Sequence, residues 1–183
     1  MKKAVVFIAD GFEEIEALSV VDILRRGGVE VNMMSVTDDP YVSGAHGIEI
    51  LTNAINEYEL TDEDMIVLPG GLPGADNLRN SPLVCEAVKQ FVAQDKYVAA
   101  ICAAPYVLGQ LGVLKGKKAT CYPGFQKHLE GAEYTEADVE VDGKIITGNG
   151  PSSATKFTLA LLTALEGIEK AKQVAEGMLV TKQ

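Results

Sequence analysis

Lys3–Ala9 (KAVVFIA) is apolar from its second residue onward and rich in β-branched side chains, so a strand built from it has no face to give to water. Such a strand must be covered on both sides, which is the situation of a parallel sheet held between two layers of helices. The next segment changes period. Ile15, Leu18, Val21, Ile23 and Leu24 recur at mostly helical spacing, and Gly27-Gly28 ends the run. Val29–Val36 reads as the next strand. Strand, helix, strand in this order predicts a right-handed β-α-β unit.

The alternation continues. Tyr41–Ile55 reads as short strands or a hairpin around Ser43-Gly44-Ala45-His46-Gly47. Met65–Leu68 is a third buried strand ending in Pro69-Gly70-Gly71, and Ser81-Pro82 opens a helix to about Gln94 with proline at its first position. Tyr97–Ile101 is a fourth strand, with a helix expected just after Cys102. Lys118–Cys121 reads as a short fifth strand, and Val139–Thr147 as a hairpin turning at Asp142-Gly143. Pro151 starts a helix to about Leu165, and Glu169–Gly177 a last one. The expected architecture is a single α/β domain over residues 1–183 with a mainly parallel central sheet.

Composition closes off several functions. Asp and Glu number 26 against 16 Lys and Arg, a formal charge of −10, so nucleic acid and anionic membranes would be repelled. The stretch Tyr97–Leu114, the one membrane candidate, is interrupted by Pro105, Gly109, Gln110 and Gly112. Met1-Lys2-Lys3 and the apolar run after it mimic an export signal, but the run is short and Asp10, Glu13, Glu14 and Glu16 follow at once. Three widely spaced cysteines, Cys85, Cys102 and Cys121, make no disulfide framework and no zinc motif, and with them a reducing, cytoplasmic setting is expected. There is no Gly-x-Gly-x-x-Gly after the first strand and no Gly-Lys-Ser/Thr, which argues against a nucleotide cofactor.

In open α/β sheets ligands bind beyond the carboxyl ends of the strands. That edge should collect Asp10 to Glu16, the Gly70-Gly71 loop, Cys102, and Cys121-Tyr122. Cys102 has the order strand, lone cysteine, helix, with small neighbours Ala100, Ala103 and Ala104. This resembles a nucleophile elbow, and free N–H groups at a helix start would favour the thiolate. A small buried hydrophobe is the competing reading. Periodicity leaves the face of Glu16 ambiguous; facing Cys102 it would be desolvated, raised in pKa and able to shuttle protons. Glu13 and Glu14 read as a solvated helix start. Gly70-Gly71 is either a structural turn or, with the N–H of Ala103, an oxyanion hole. His46, in its glycine-flanked turn, serves either as a site or a turn residue. His128 reads as a surface residue, Cys85 as core, and Cys121 as a neighbour of the site.

Five segments then carry a resemblance: Asp10-Gly11-Phe12-Glu13-Glu14-Ile15-Glu16, Leu68-Pro69-Gly70-Gly71, Ala100-Ile101-Cys102-Ala103-Ala104-Pro105, Ala119-Thr120-Cys121-Tyr122-Pro123 and Gly148-Asn149-Gly150-Pro151. Together, and over essentially the whole chain, they resemble the ThiJ/PfpI superfamily, in its small ThiJ/YajL-like branch that includes the human parkinsonism-associated protein deglycase. The resemblance implies a flavodoxin-like three-layer sandwich that forms homodimers. It implies that Cys102 is the reactive cysteine, Glu16 the buried carboxyl beside it, and Gly71 and Ala103 the backbone oxyanion donors. Gly70, Tyr122, Cys121 and His46 would line the pocket, with His46 near the dimer interface and Arg26 and Asp22 in support.

The implied activity is cofactor-independent conversion of methylglyoxal to lactate, or removal of early glyoxal adducts from proteins or nucleotides. Oxidation of Cys102 in a stress sensor or redox-regulated chaperone is the alternative. Two departures matter. The protease-like branch has a histidine directly after the cysteine where this chain has Ala103, which argues against peptidase activity. The human relative has a pocket histidine where this chain has Tyr122, a candidate hydroxyl donor in its place. A thiamin-related role, suggested by an old family name, finds no phosphate motif to support it.

Overall fold

The computed structural model describes residues 1–55, 60 and 62–180. Its centre is a six-stranded sheet in the order β2-β1-β5-β6-β10-β9. The strands are β1 (Lys3–Ile8), β2 (Glu30–Ser35), β5 (Met65–Leu68), β6 (Tyr97–Ile101), β10 (Ile145–Gly148) and β9 (Val139–Asp142). All neighbours run parallel except the edge strand β9, which pairs antiparallel with β10. A hairpin, β3 (Tyr41–Ser43) with β4 (Glu49–Leu51), stands apart from this sheet.

Side chains of β1 alternate between two cores, as period two requires. Ala4, Val6 and Ile8 join Leu24, Phe157 and Leu161 on the face covered by α1 (Glu14–Arg26), α5 (Ala154–Glu166) and α6 (Ile168–Gly177). Val5, Phe7 and Ala9 join Leu78, Val88, Phe91 and Val107 on the opposite face, under α2 (Gly74–Asn80), α3 (Pro82–Ala93) and α4 (Pro105–Gln110). Every residue of β5 is buried, as expected of a strand covered on both faces. The result is the flavodoxin-like α/β sandwich expected from the sequence, with helices on both sides of a mainly parallel sheet.

The structure departs from the sequence reading in several places. Helix α2 was not anticipated; its seven residues are too few to show a period. The segment read as a fifth strand shrinks to β7 (Lys118–Ala119), which pairs with β8 (Glu133–Tyr134) outside the main sheet. The β9–β10 turn has Gly143-Lys144 at its centre, because Asp142 and Ile145 are already partners. Cys85 is half-buried rather than core, its thiol directed at the Arg79 carbonyl oxygen 3.3 Å away. Tyr97–Leu114 divides into β6 and α4, and among the described residues no helix is long and apolar enough to cross a membrane.

Candidate active site

The parallel strands deliver their carboxyl ends, and the loops after them, to one edge. Cys102 follows β6 directly and has a left-handed backbone, φ 64°, which a non-glycine residue adopts only at a cost. Its N–H donates to the Gly148 carbonyl (2.9 Å), and its own carbonyl accepts from Tyr122 N–H (2.7 Å). The peptide is therefore clamped between the loops after β10 and β7. The cysteine is 8% exposed, at the border of the core.

Glu16 lies in the first turn of α1 and is wholly buried. Its Oε2 accepts from the Gly70 N–H at 2.8 Å, while Oε1 is buried with no hydrogen-bond partner. The loop and helix clasp each other, since Glu13 N–H donates back to the Gly70 carbonyl (3.0 Å). Gly70 also locates the cysteine. A Cβ there would come within 2.6 Å of Glu16 Oε2, 2.6 Å of Cys102 Cβ and 3.1 Å of its Sγ. Thiol and carboxyl thus flank one bare backbone position.

Burial dominates the electrostatics. It pushes the Glu16 carboxyl up to about 7 against the opposing hydrogen bonds from Cys102 and Gly70, and the nearby Glu13 charge adds to the rise. The Cys102 thiol also moves up, first through burial and then through the charge and hydrogen bonding of Glu16. Backbone N–H groups of Gly71 and Ala103 act on it in the opposite direction and lose. This corrects the expected thiolate. Helix α4 starts only at Pro105, so Cys102 sits a turn ahead of it, and the carboxyl beside it outweighs the two amides.

Glu13 and Glu14 are buried too, contrary to the solvated helix start read from sequence. Glu13 caps α1 by accepting the Glu16 N–H at 2.8 Å. Glu14 accepts the backbone N–H of His46 (2.7 Å) and pairs with its Nδ1 (2.8 Å), which lowers the Glu14 carboxyl and raises the imidazole. Both carboxylates can be buried because Glu13 is satisfied within its own helix start and Glu14 by a loop thirty-two residues away. His46 is largely exposed, between β3 and β4, and reaches Glu16 only through Glu14 and Glu13. Among the described residues Glu13, Glu14 and His46 form one group with metal-ligand proximity, within 4.8 Å of one another. His46 Nδ1 is already engaged with Glu14, so an ion pair accounts for the arrangement.

The remaining predicted residues divide. Tyr122 is 47% exposed, with its ring beside Gly150. Cys121 lies on the opposite core from Cys102, its thiol raised by burial to about 11. It lines a 350 Å³ cleft with Thr120, Pro123, Gln126 and Asn149. Arg26 and Asp22 pair with each other at 2.7 Å at the far end of α1, away from His46. His128 is exposed as expected, edge-on to Tyr106. Sequence reasoning missed Tyr106 itself, whose hydroxyl donates to Asp76 Oδ1 at 2.5 Å, thirty residues away.

The comparisons with known proteins agree with this fold. The Arabidopsis thaliana protein DJ-1 homolog B is 41% identical over 178 residues, 95% of this chain and 40% of that protein. Homolog A from the same plant is 39% identical, and there the match takes in 47% of the relative. The chain thus spans less than half the length of these two relatives. Protein dj-1beta of Drosophila melanogaster matches end to end, 37% identical over 98% of this chain and 97% of its own. Among solved structures, an oxidized DJ-1 of Toxoplasma gondii superposes with a TM-score of 0.94 at 40% identity, covering 98% of both chains. A sequence profile of the DJ-1/PfpI family matches residues 2–164, and with these relatives it shows that the chain belongs to the DJ-1/PfpI family.

Proposed function

We propose that this protein converts small 2-oxoaldehydes to hydroxy acids without a cofactor, with Cys102 as nucleophile and Glu16 as general acid and base. The observation that carries the reading is a wholly buried carboxyl, raised to about 7, beside a cysteine held on a strained turn. A group poised near neutrality both takes and returns protons.

With methylglyoxal the steps balance as follows. The Cys102 sulfur bonds to the aldehyde carbon, the carbonyl electron pair moves to oxygen, and the thiol proton passes through Glu16 to that oxygen. This gives a hemithioacetal. Glu16 next takes the proton from the same carbon, the electron pair enters the carbon–carbon bond, and the ketone oxygen takes a proton from solvent, giving an enediol. Glu16 returns its proton to the neighbouring carbon while the first oxygen releases one, leaving a hydroxy thioester. Water adds, the carbon–sulfur bond breaks, and lactate leaves as the thiol regains its proton. The amides of Gly71 and Ala103 serve as donors to the developing oxyanion. Exposed Tyr122 supplies a hydroxyl at the pocket, with Gly70 beside the sulfur.

Self-association belongs to the same reading. Ile15 of α1 and Tyr41, Ile48 and Leu51 of the hairpin segment are each at least 50% exposed, an apolar surface suited to a second copy of the chain. Light scattering is expected to give twice the 19.5 kDa chain mass; a monomer at micromolar concentration would remove the dimer from the reading.

The direct test is lactate formed from methylglyoxal by freshly reduced protein in the absence of glutathione. Cys102→Ala is expected to fall to the uncatalysed background. No lactate from the reduced wild type, or an active Cys102→Ala, would overturn the reading. A sensor role is the second reading, supported by the oxidized form in which the Toxoplasma relative was solved. A protonated Glu16 would donate a hydrogen bond to a sulfinate on Cys102. Loss of turnover with a gain in holding unfolded clients on oxidation would favour it.

A further inference from the structure

Three loops meet at Cys102, from three strands of the fold. The loop after β5 carries Gly70 and Gly71 and runs into α2. The loop after β6 carries Cys102 and Ala103 and runs into α4. The loop after β7 carries Tyr122, whose N–H holds the Cys102 carbonyl, and runs into a short 3₁₀ turn, Gln126–His128.

One side chain joins the elements that these loops run into. Tyr106 stands in the first turn of α4 and is 4% exposed. Its hydroxyl donates to Asp76 of α2 at 2.5 Å. Asp76 is itself approached by Arg79 at 3.9 Å, and the Arg79 guanidinium lies over the Tyr106 ring, 5.2 Å from its centroid. On the other side the ring packs edge-on against Phe125 and His128, with centroids 5.7 and 6.0 Å away.

We propose that Tyr106 is a positioning residue that braces these three loops, so that the Gly70-Gly71 backbone and the Ala103 amide stay converged on the Cys102 sulfur. The hydroxyl ties α2 to α4, and the ring ties α4 to the turn beyond Tyr122. Without the hydroxyl, α2 loses its tie to α4, and the Gly70-Gly71 loop keeps its bonds to Glu13 and Glu16 but loses the restraint that α2 passes to it. A displacement of about 1 Å far from the chemistry can cost roughly a hundredfold in rate. The brace lets the amides counter the upward push of burial and Glu16 on the thiol, so loosening it leaves the thiol harder to ionise.

Tyr106→Phe tests this, because it keeps the ring and removes only the hydroxyl. The rate of Cys102 alkylation by iodoacetamide is followed against pH in full-length protein. At each pH the rate is expected to fall below that of wild type, because less of the thiol is ionised. On methylglyoxal, kcat should fall about tenfold with KM within about twofold, since alignment rather than uniform binding is lost. Asp76→Leu should reproduce both effects. Asp76→Asn, which keeps an acceptor oxygen, should restore most of both, as a general loss of packing would not. An alkylation profile that superimposes on wild type in Tyr106→Phe, or Asp76→Asn as damaging as Asp76→Leu, overturns the brace. Only the kinetic arm rests on the proposed activity. If wild type makes no lactate, that activity falls and the alkylation profiles decide the brace alone.

Discussion

Glu16→Gln is expected to lose about 10²–10⁴ of its turnover on methylglyoxal and yet to be more stable than wild type above pH 7. The two effects have one cause, a carboxyl buried where its charge is poorly satisfied. The folded carboxyl keeps its proton to about pH 7, whereas the unfolded chain releases it near 4.5. Between those values the native state binds more protons than the unfolded one, so stability falls as pH rises through the window. Below pH 4.5 both states are protonated and nothing is lost. Above about 7 the native protein carries a buried carboxylate whose Oε1 has no hydrogen-bond partner. The full loss amounts to about 3 kcal/mol. Glutamine keeps an acceptor for the Gly70 N–H and has no charge to bury. Urea denaturation at pH 5 and pH 8 checks the effect. The advantage of Glu16→Gln should be small at pH 5 and approach about 3 kcal/mol at pH 8. Equal advantages at the two pH values would show that Glu16 does not titrate in this window. In the wild type, turnover should rise with pH through about 7, as the carboxylate that accepts the thiol proton forms.

Gly71→Ala is expected to destabilise the fold by about 3–4 kcal/mol, lowering the melting temperature by about 10 °C. Gly71 has φ 88°, and a Cβ there would lie 2.4 Å from both Glu13 N and Gly11 O and 2.7 Å from Phe12 C. These are backbone atoms at the start of α1, which cannot rotate away as a side chain tip would. Left-handed strain alone costs about 1–2 kcal/mol, and the remainder is steric. Gly28 separates the two contributions. Its φ is 86°, but a Cβ there would meet nothing within 4 Å. Gly28→Ala should therefore show only the conformational cost. Similar melting temperatures for the two variants would mean that the loop yields and that the packing of Gly71 against the Glu13 segment is loose.

Much of the fold was legible because β1, β5 and β6 lie inside the sheet and carry dense apolar sequence, and the edge strand β2 is set off by the Gly27-Gly28 stop. The placement of Cys102 after β6 followed from the order of strand, lone cysteine and small residues. The face of Glu16 did not. Buried residues on α1 include Glu14, Glu16, Ala17, Val20, Val21, Ile23 and Leu24, a broad stripe rather than a narrow one. This helix packs on the sheet and α5 while its first turn is covered by the Gly70 loop and the hairpin, so periodicity could not set an edge to its buried side. Glu13 and Glu14 looked like solvent-facing charges for a related reason. The burial of Glu14 depends on amide donors from His46 and Ile48 that only the tertiary fold brings near. The ionisation of Cys102 follows no local rule about helix starts, because burial first and then the long-range neighbour Glu16 push the thiol the other way. The Asp76–Tyr106 contact joins two helices, one of them too short to read, and left no trace in spacing.

The left-handed backbone of Cys102 has a consequence for anyone who wants this scaffold without its thiol. Alanine and serine, the usual replacements, inherit the full torsional penalty and keep none of the chemistry that offsets it. Glycine rests there without strain, at the cost of extra freedom in the unfolded chain. A cysteine-free version built for labelling elsewhere is therefore better made with glycine at this position. The same comparison implies that an organism with no use for the sulfur would have a more comfortable residue one or two base changes away. The scaffold tolerates discomfort at the one place where a reactive atom has to project.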